Sequence, residues 1–223
     1  MFYRSLAVLA IVPLIASACG DSIEFTGPGP TNTTVRFINA TNSSIDVRTG
    51  GAVGTGNGNI GFGGNSSCMT VNNSQPGIVF NQAGTNTAIA GFTPAFVAGG
   101  NYSVIAFTNG TTTQFVTIDN AGFTPTAGQA GLRIFNAASG SGNIVALANG
   151  TALGTAGVGV GTASPFINVT AGLQAITFNT GAGTATIANA GTLNFTAGQN
   201  YTLIVAPAAA ASTTLRTFLV SGC

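Results

Sequence analysis

The chain contains one set of motifs twice, and this duplication constrains its fold more than any other feature. The segment Val35–Ala40 (VRFINA) returns as Leu132–Ala137 (LRIFNA), and Phe96–Tyr102 returns as Phe195–Tyr201. The offset between equivalent residues stays between 97 and 99. Solenoid repeats have periods of only about 20–50 residues, so this period is that of a domain. The sequence therefore predicts two tandem copies of one unit.

Each copy consists of short apolar runs that are typical of β-strands. The runs are rich in Val, Ile, Thr and Phe and are bounded by Gly, Asn and Ser, and no segment beyond the N-terminus has a helical period with caps. The predicted strands are residues 34–40, 44–49, 66–72, 77–82, 87–92, 102–108 and 112–118, then 131–137, 143–148, 164–170, 173–179, 183–188, 201–207 and 213–221. About seven strands per copy predict an all-β chain with two tandem immunoglobulin-like β-sandwich domains.

The N-terminal 18 residues have the features of a secretory signal. Arg4 precedes an apolar stretch that is too short to span a bilayer comfortably. Small residues then lead directly to Cys19, as in the lipobox of bacterial lipoproteins, where the cysteine becomes acylated. The alternative is ordinary cleavage after Ala18 with an unmodified cysteine. Because several acyl chains anchor a protein stably and Gly20 is not the aspartate of the inner-membrane retention signal, we expect a lipid-anchored envelope protein at the outer membrane.

The expected organisation has five parts. The signal peptide spans 1–18, the lipidated Cys19 and a Gly/Pro tether 19–33, the first sandwich 34–119, a linker 120–130 and the second sandwich 131–223. Gly-Pro-Gly-Pro within the tether cannot enter a helix or a central strand.

The chain carries very few charged residues, and this argues against binding of nucleic acid. Charged residues make up 4% of the sequence, which contains no histidine and no lysine. Binding of nucleic acid requires clustered cations that displace counterions, so no nucleic-acid partner is expected. No second apolar segment of about 20 residues occurs, so the membrane is expected to be contacted through the N-terminal lipid only.

Groups that could support catalysis or hold a metal are also missing. General acid–base chemistry needs a titratable group near its working pH, and the predicted domains contain only Asp46 and Asp119 as carboxylates. No Cys/His set suits zinc and no acidic cluster suits calcium. The chain is therefore predicted not to be an enzyme and to hold no metal or cofactor. We expect Asp46 to form a surface ion pair with Arg36 or Arg48.

The segment Gly56-x-Gly58-x-x-Gly61 matches a dinucleotide-binding motif literally. That function requires a preceding strand and a following helix, and no helix is predicted here. We interpret the segment as a mobile loop.

Three residue types recur at equivalent places in the two copies and are predicted to have structural roles. The arginines are expected to donate to backbone carbonyls and the asparagines to complete strand-end hydrogen bonds. The tyrosines are interpreted as corner tyrosines of a sandwich rather than as ligand-stacking rings. These residues are Arg36 and Arg133, Asn39 and Asn136, and Tyr102 and Tyr201.

Two cysteines remain besides Cys19. Cys68 and Cys223 form an even pair in an oxidising compartment, which suits a disulfide. Cys68 aligns with Phe166, however, and a buried free cysteine is also ordinary. The sequence leaves both states open.

The order of these motifs resembles a known family. In the second copy Leu132–Ala137 is followed by Asn149-Gly150, then by Ser164-Pro165-Phe166, and finally by Ala197–Ala206. This order is similar to that of the bacterial secreted family called domain of unknown function 4397, and the similarity covers roughly residues 34–207. The resemblance implies a β-sandwich on a secreted or lipid-anchored protein and implies no activity.

The sequence thus favours a non-catalytic cell-envelope lipoprotein that displays two sandwich modules for structural or interaction roles. The alternative is a module that binds a glycan or another neutral ligand at the cell surface. An envelope protein or a glycan would be the corresponding partner.

Overall fold

The computed structural model describes residues 32–49, 52–53, 57–72, 78–154, 157–181, 185–209 and 212–223. The predicted signal peptide and Cys19 lie outside these residues. The described residues contain no helix, and so none that could cross a membrane, and the predicted all-β class is confirmed. The strands are β1 (Asn32–Ala40), β2 (Ile45–Thr49), β3 (Ala52–Val53), β4 (Met69–Asn72), β5 (Ile78–Gln82), β6 (Ala88–Phe92), β7 (Asn101–Asn109), β8 (Thr112–Asp119), β9 (Gln129–Asn136), β10 (Ile144–Ala148), β11 (Thr151–Ala152), β12 (Ile167–Thr170), β13 (Gly172–Thr180), β14 (Thr186–Phe195), β15 (Asn200–Pro207) and β16 (Leu215–Ser221).

The first half of the fold, β1–β8, is a sandwich of two four-stranded sheets. One sheet has the order β4-β1-β7-β8 and the other β3-β2-β5-β6. Strands β1 and β7 run parallel, and the other pairs are antiparallel. Alternation along β1 points Val35 and Phe37 between the sheets, where Phe37 meets Phe80 of β5 edge to face at 5.7 Å between ring centroids.

The second half, β9–β16, repeats this topology. Its sheets have the orders β12-β9-β15-β16 and β11-β10-β13-β14, and β9 and β15 again run parallel. The turn between β10 and β11 shows how local sequence sets a hairpin, because Asn149 and Gly150 adopt φ values of 48° and 81°. Such a turn suits the twist of paired strands.

A third hydrophobic core joins the two halves. The faces of β1 and β7 that point away from the first sandwich pack against the corresponding faces of β9 and β15. Phe107 and Phe135 meet across this junction edge to face at 5.5 Å, and Ile38 and Ile204 are completely buried in it. The central sheet of each half is therefore buried on both faces, and the molecule consists of four stacked sheets.

Two strands begin earlier than expected, and each of them begins at a polar residue. β1 begins at Asn32, within the expected tether, and β9 begins at Gln129, within the expected linker. Asn32 pairs with Asn72, and its carbonyl oxygen accepts a hydrogen bond from the Gly99 N–H at 2.9 Å. Backbone pairing of this kind extends a strand without any apolar signal in the sequence.

The apolar core at the junction predicts that the two halves stay associated after the chain between them is cut. A protease site inserted at the exposed Gly122 should be cut without separating the halves, because burial of the shared apolar surface holds them together. Gel filtration after cleavage, with and without reductant, measures this. We expect one peak at the mass of the intact chain under both conditions. Two peaks of half mass after reduction would show that the apolar junction does not hold.

Candidate functional site

The junction between the halves gathers most of the residues that recur in the sequence. At one end, Arg133 of β9 reaches the end of β8, where Nη1 donates to the carbonyl oxygen of Asp119 at 2.8 Å and Nη2 to Oδ1 of Asn120 at 2.6 Å. Arg36 of β1 makes the reciprocal contact, because its Nη1 donates to the carbonyl oxygen of Ser221 at the end of β16. Each arginine therefore fastens its own half to the other half.

A disulfide bond and an aromatic ring occupy equivalent places beside these arginines. Nη2 of Arg36 lies 3.0 Å from Sγ of Cys68, whereas the Arg133 guanidinium lies over the Phe166 ring at 4.2 Å from its centroid. Cys68 is bonded to Cys223, which joins the first half to the C-terminal residue of the second. In the first half the arginine therefore contacts a sulfur atom, and in the second half the arginine contacts the π face of a phenylalanine ring.

Burial changes the acid–base behaviour of both arginines without discharging them. Burial lowers the pKa of Arg36, and it lowers the pKa of Arg133 to about 10, an effect that the negative charge of Asp119 partly offsets. Both guanidinium groups stay charged near neutral pH. Hydrogen bonds from a charged donor are stronger than neutral ones, so the carbonyl contacts compensate part of the cost of desolvating the charge.

The recurring asparagines fix the loops at the opposite end of the junction. Nδ2 of Asn39 donates to the carbonyl oxygens of Ser43 and Ile60 at 2.7 and 2.8 Å, while Oδ1 accepts from the Thr41 N–H at 2.8 Å. The side chain is fully buried. A buried amide with donors and acceptor all satisfied orders the loop that follows β1.

Asn136 repeats this arrangement in the second half. Its Nδ2 donates to the carbonyl oxygens of Gly142 and Val158 at 2.9 and 3.0 Å, and its Oδ1 accepts from the Ala138 N–H at 3.0 Å. The loop after β9 is therefore held in the same way as the loop after β1.

The recurring tyrosines contact their own halves. The hydroxyl oxygen of Tyr102 accepts from the Val97 N–H and that of Tyr201 from the Thr196 N–H, both at 3.2 Å and five residues upstream. Each ring also packs on a phenylalanine, at 5.0 Å for Phe96 and 5.4 Å for Phe195. This is the geometry of a corner tyrosine, and it directs each phenol to its own loop.

Asp46 does not form the expected surface pair with Arg36 or Arg48. Its side chain is buried, and its carboxylate oxygens accept from the N–H groups of Asn59 and Gly84 at 2.7 and 2.9 Å. The carboxylate therefore joins two loops of the first half. Sequence alone did not indicate this role, because the two partners are backbone groups far along the chain.

The glycine-rich segment after β3 is also different from the expected mobile loop. Gly56 lies outside the described residues, but Asn57 is buried and Ile60 pairs with Ile45 across the sandwich edge. The carbonyl oxygen of Asn57 accepts from the Val47 N–H at 2.8 Å. These contacts order the part of the segment that the structure describes.

No group of three or more His, Cys, Asp or Glu side chains that could hold a metal ion occurs in the described residues. Among the described residues, a cavity opens at each end of the junction. A cavity of about 210 Å³ lies at the arginine end, beside Asn120, Phe166 and Cys223. A larger cleft of about 530 Å³ lies at the asparagine end and is lined by both halves. We call the larger one the hydroxyl cleft because Ser and Thr dominate its lining, which includes Thr108 of the first half and Ser139 of the second.

Sequence reasoning identified the recurring residues but not the junction. One signal for it was present, since Val104–Phe107 (VIAF) and Leu203–Ala206 (LIVA) are continuous apolar runs without polar alternation. Such runs are typical of strands buried on both faces. The residues of the hydroxyl cleft carry no comparable signal, because Ser and Thr are common throughout the chain.

Comparison with known proteins gave a family and several matching solved structures. The sequence profile of the family described as "Domain of unknown function (DUF4397)" matches residues 33–147. One of the matching structures is the carbohydrate-binding module CBMbc (family CBM26) of Amy13K from Eubacterium rectale, in complex with maltoheptaose. It is 12% identical, with 86% of this chain and 97% of that chain covered, and the TM-score is 0.25. No curated protein matched.

The contacts of the two arginines predict that removing their side chains lowers the stability of the protein by unequal amounts. Arg133→Ala should destabilise the protein by about 1–3 kcal/mol, because it leaves the partly buried oxygen acceptors of Asp119 and Asn120 without their donor, and the Tm should fall by several degrees. Arg36→Ala should have a smaller effect, since Arg36 is less buried. Thermal unfolding followed by circular dichroism measures both. Arg216→Ala is the matched control, because Arg216 is exposed, and an equal loss of stability in all three variants would contradict the junction role.

Proposed function

The chain belongs to the DUF4397 family, and we propose that it is a non-catalytic cell-envelope lipoprotein that displays a paired β-sandwich module for structural or interaction roles. The observation that carries this proposal is the rigid union of the two halves. A shared apolar core, two reciprocal arginine contacts and the Cys68–Cys223 disulfide hold them in one arrangement. A module with a fixed shape suits presentation of a surface at the end of a tether.

We propose further that the second half is a second copy of the same family unit. The family profile ends at residue 147, within β10. Both halves nevertheless have the same strand order, with β1 and β9 at equivalent places in their sheets. Their Arg-x-x-Asn motifs also make equivalent hydrogen bonds.

The lack of catalytic chemistry is supported by what the carboxylates contact. Asp46 accepts two backbone hydrogen bonds from within its own half, and Oδ1 of Asp119 accepts from the Ala121 N–H at 2.8 Å. The two residues lie in β2 and β8, which belong to different sheets of one sandwich. This arrangement favours structural roles for both.

The alternative function, binding of a neutral ligand, requires either an aromatic platform or a cleft. In the part of the chain that the structure describes, the exposed large apolar side chains are Ile89, Val97 and Leu173, and none is aromatic. A flat platform of the kind that stacks on sugars is therefore not supported. The hydroxyl cleft is the observation that favours this alternative.

The anchoring part of the proposal is tested at Cys19. Cells grown with an alkyne analogue of palmitate should label the native protein and not Cys19→Ser, because the thiol is the expected acceptor of the acyl chains. Ser22→Ala is the matched control, since it changes a hydroxyl in the tether and leaves the cysteine in place. Full detergent-phase partition of Cys19→Ser would show that the protein is not anchored through this residue.

A second substitution tests the membrane to which the protein is sorted. Gly20→Asp should move the protein from the outer to the inner membrane of an enteric host on a sucrose gradient, because it creates the retention signal that the native sequence lacks. An unchanged distribution would contradict outer-membrane sorting by this signal.

A further inference from the structure

We propose that the hydroxyl cleft is a binding site for a short segment of a neutral glycan, a function beyond anchored display. The cleft has a volume of about 530 Å³, which lies within the range of about 300–1,000 Å³ that is usual for small-molecule sites. It is formed where the two halves meet, so that residues of both contribute to its wall. Neither half alone contains the site.

None of the described residues that line the cleft has a charged side chain. Six hydroxyl groups contribute to it, those of Thr108, Ser139, Ser141, Thr180, Ser212 and Thr213. Arg216 follows Leu215 in β16 and is exposed, but consecutive strand residues point to opposite faces. Arg36 and Arg133 lie at the other end of the junction. The site therefore offers no opposite charge to an anion or a cation and suits an uncharged ligand.

Several polar groups of the lining are available to a ligand. Among the contacts of the described residues, the side chains of Asn42, Thr108, Thr180 and Thr213 make no hydrogen bond to protein. Each hydroxyl can donate once and accept twice, and the amide can do both. Such groups distributed around one cleft complement a ligand that carries many hydroxyls.

The remaining wall of the cleft is apolar. Ile187, Pro207 and Leu215 line it, and Ile187 and Leu215 also pack against the core of the second half. A sugar ring has an apolar C–H face as well as hydroxyls at its edge. The combination of an apolar floor with a hydroxyl rim thus favours a sugar over a fully polar solute.

The two recurring asparagines, together with hydrogen bonds that Ser139 forms across the junction, order the loops that line the cleft. Asn39 holds the loop that carries Asn42, and Asn136 holds the loop that carries Ser139 and Ser141. Oγ of Ser139 also accepts from the Gly110 N–H and donates to Oδ1 of Asn109, both at 3.1 Å, which joins the halves at the rim. A site that is ordered before the ligand arrives loses less entropy on binding.

Titration of the purified protein in detergent with cellohexaose, laminarihexaose, maltohexaose and chitohexaose tests the proposal. Hexagalacturonic acid serves as the anionic control. Saturation-transfer difference NMR and calorimetry should detect binding of at least one neutral oligosaccharide, with a millimolar dissociation constant, and none of the acid. Absence of binding by all four neutral probes, or equal binding of the acid, would overturn the proposal.

Substitutions locate the site independently of the choice of sugar. Thr108→Phe should fill the cleft and weaken binding at least about tenfold, and Thr180→Val or Thr213→Val should weaken it about two- to tenfold, because each removes one hydroxyl without changing side-chain shape. The valine variants keep the test valid where Thr108→Phe does not fold. Thr70→Phe and Thr70→Val on β4, away from the cleft, are the matched controls. Binding that survives every cleft substitution would show that the site is elsewhere.

Discussion

The apolar contact between the two central sheets is the interaction on which the rest of the structure depends. Ile38, Phe107, Phe135 and Ile204 are almost completely removed from water in it. Burial of each of these four side chains contributes about 1.5–3 kcal/mol, whereas each of the two hydrogen bonds from a guanidinium group to a carbonyl contributes a similar amount, about 1.5–3 kcal/mol. The core therefore supplies most of the attraction between the halves, and the arginine contacts define their relative position.

The junction is reciprocal, yet its details differ between the halves. Arg36 and Arg133 make matching bonds to Ser221 and Asp119, which occupy equivalent strand ends. Cys68 of the first half replaces Phe166 of the second, and only the cysteine can form a covalent bond to the other half. The two similar halves are therefore linked covalently at this one equivalent position, through the Cys68–Cys223 disulfide.

With so few charged residues in the chain, polar side chains order the loops mainly through hydrogen bonds to backbone groups. The buried polar side chains of Asn39, Asn136 and Asp46 are each satisfied by backbone groups of their own half. An unsatisfied group in such a position would cost about 1–3 kcal/mol. The hydroxyl groups of the cleft are, in contrast, open to a partner.

The sequence by itself determined the all-β class and the equivalence of the recurring motifs, because both depend on short local patterns of residues. It did not determine the four-layer stack, the cleft or the role of Asp46. Those features depend on which residues meet across the junction or across a loop. The Cys68–Cys223 bond spans 155 residues, and its two cysteines belong to different halves of the fold. The spacing of two residues along a chain does not show whether they are in contact in the fold, so only the tertiary structure decided this disulfide pairing.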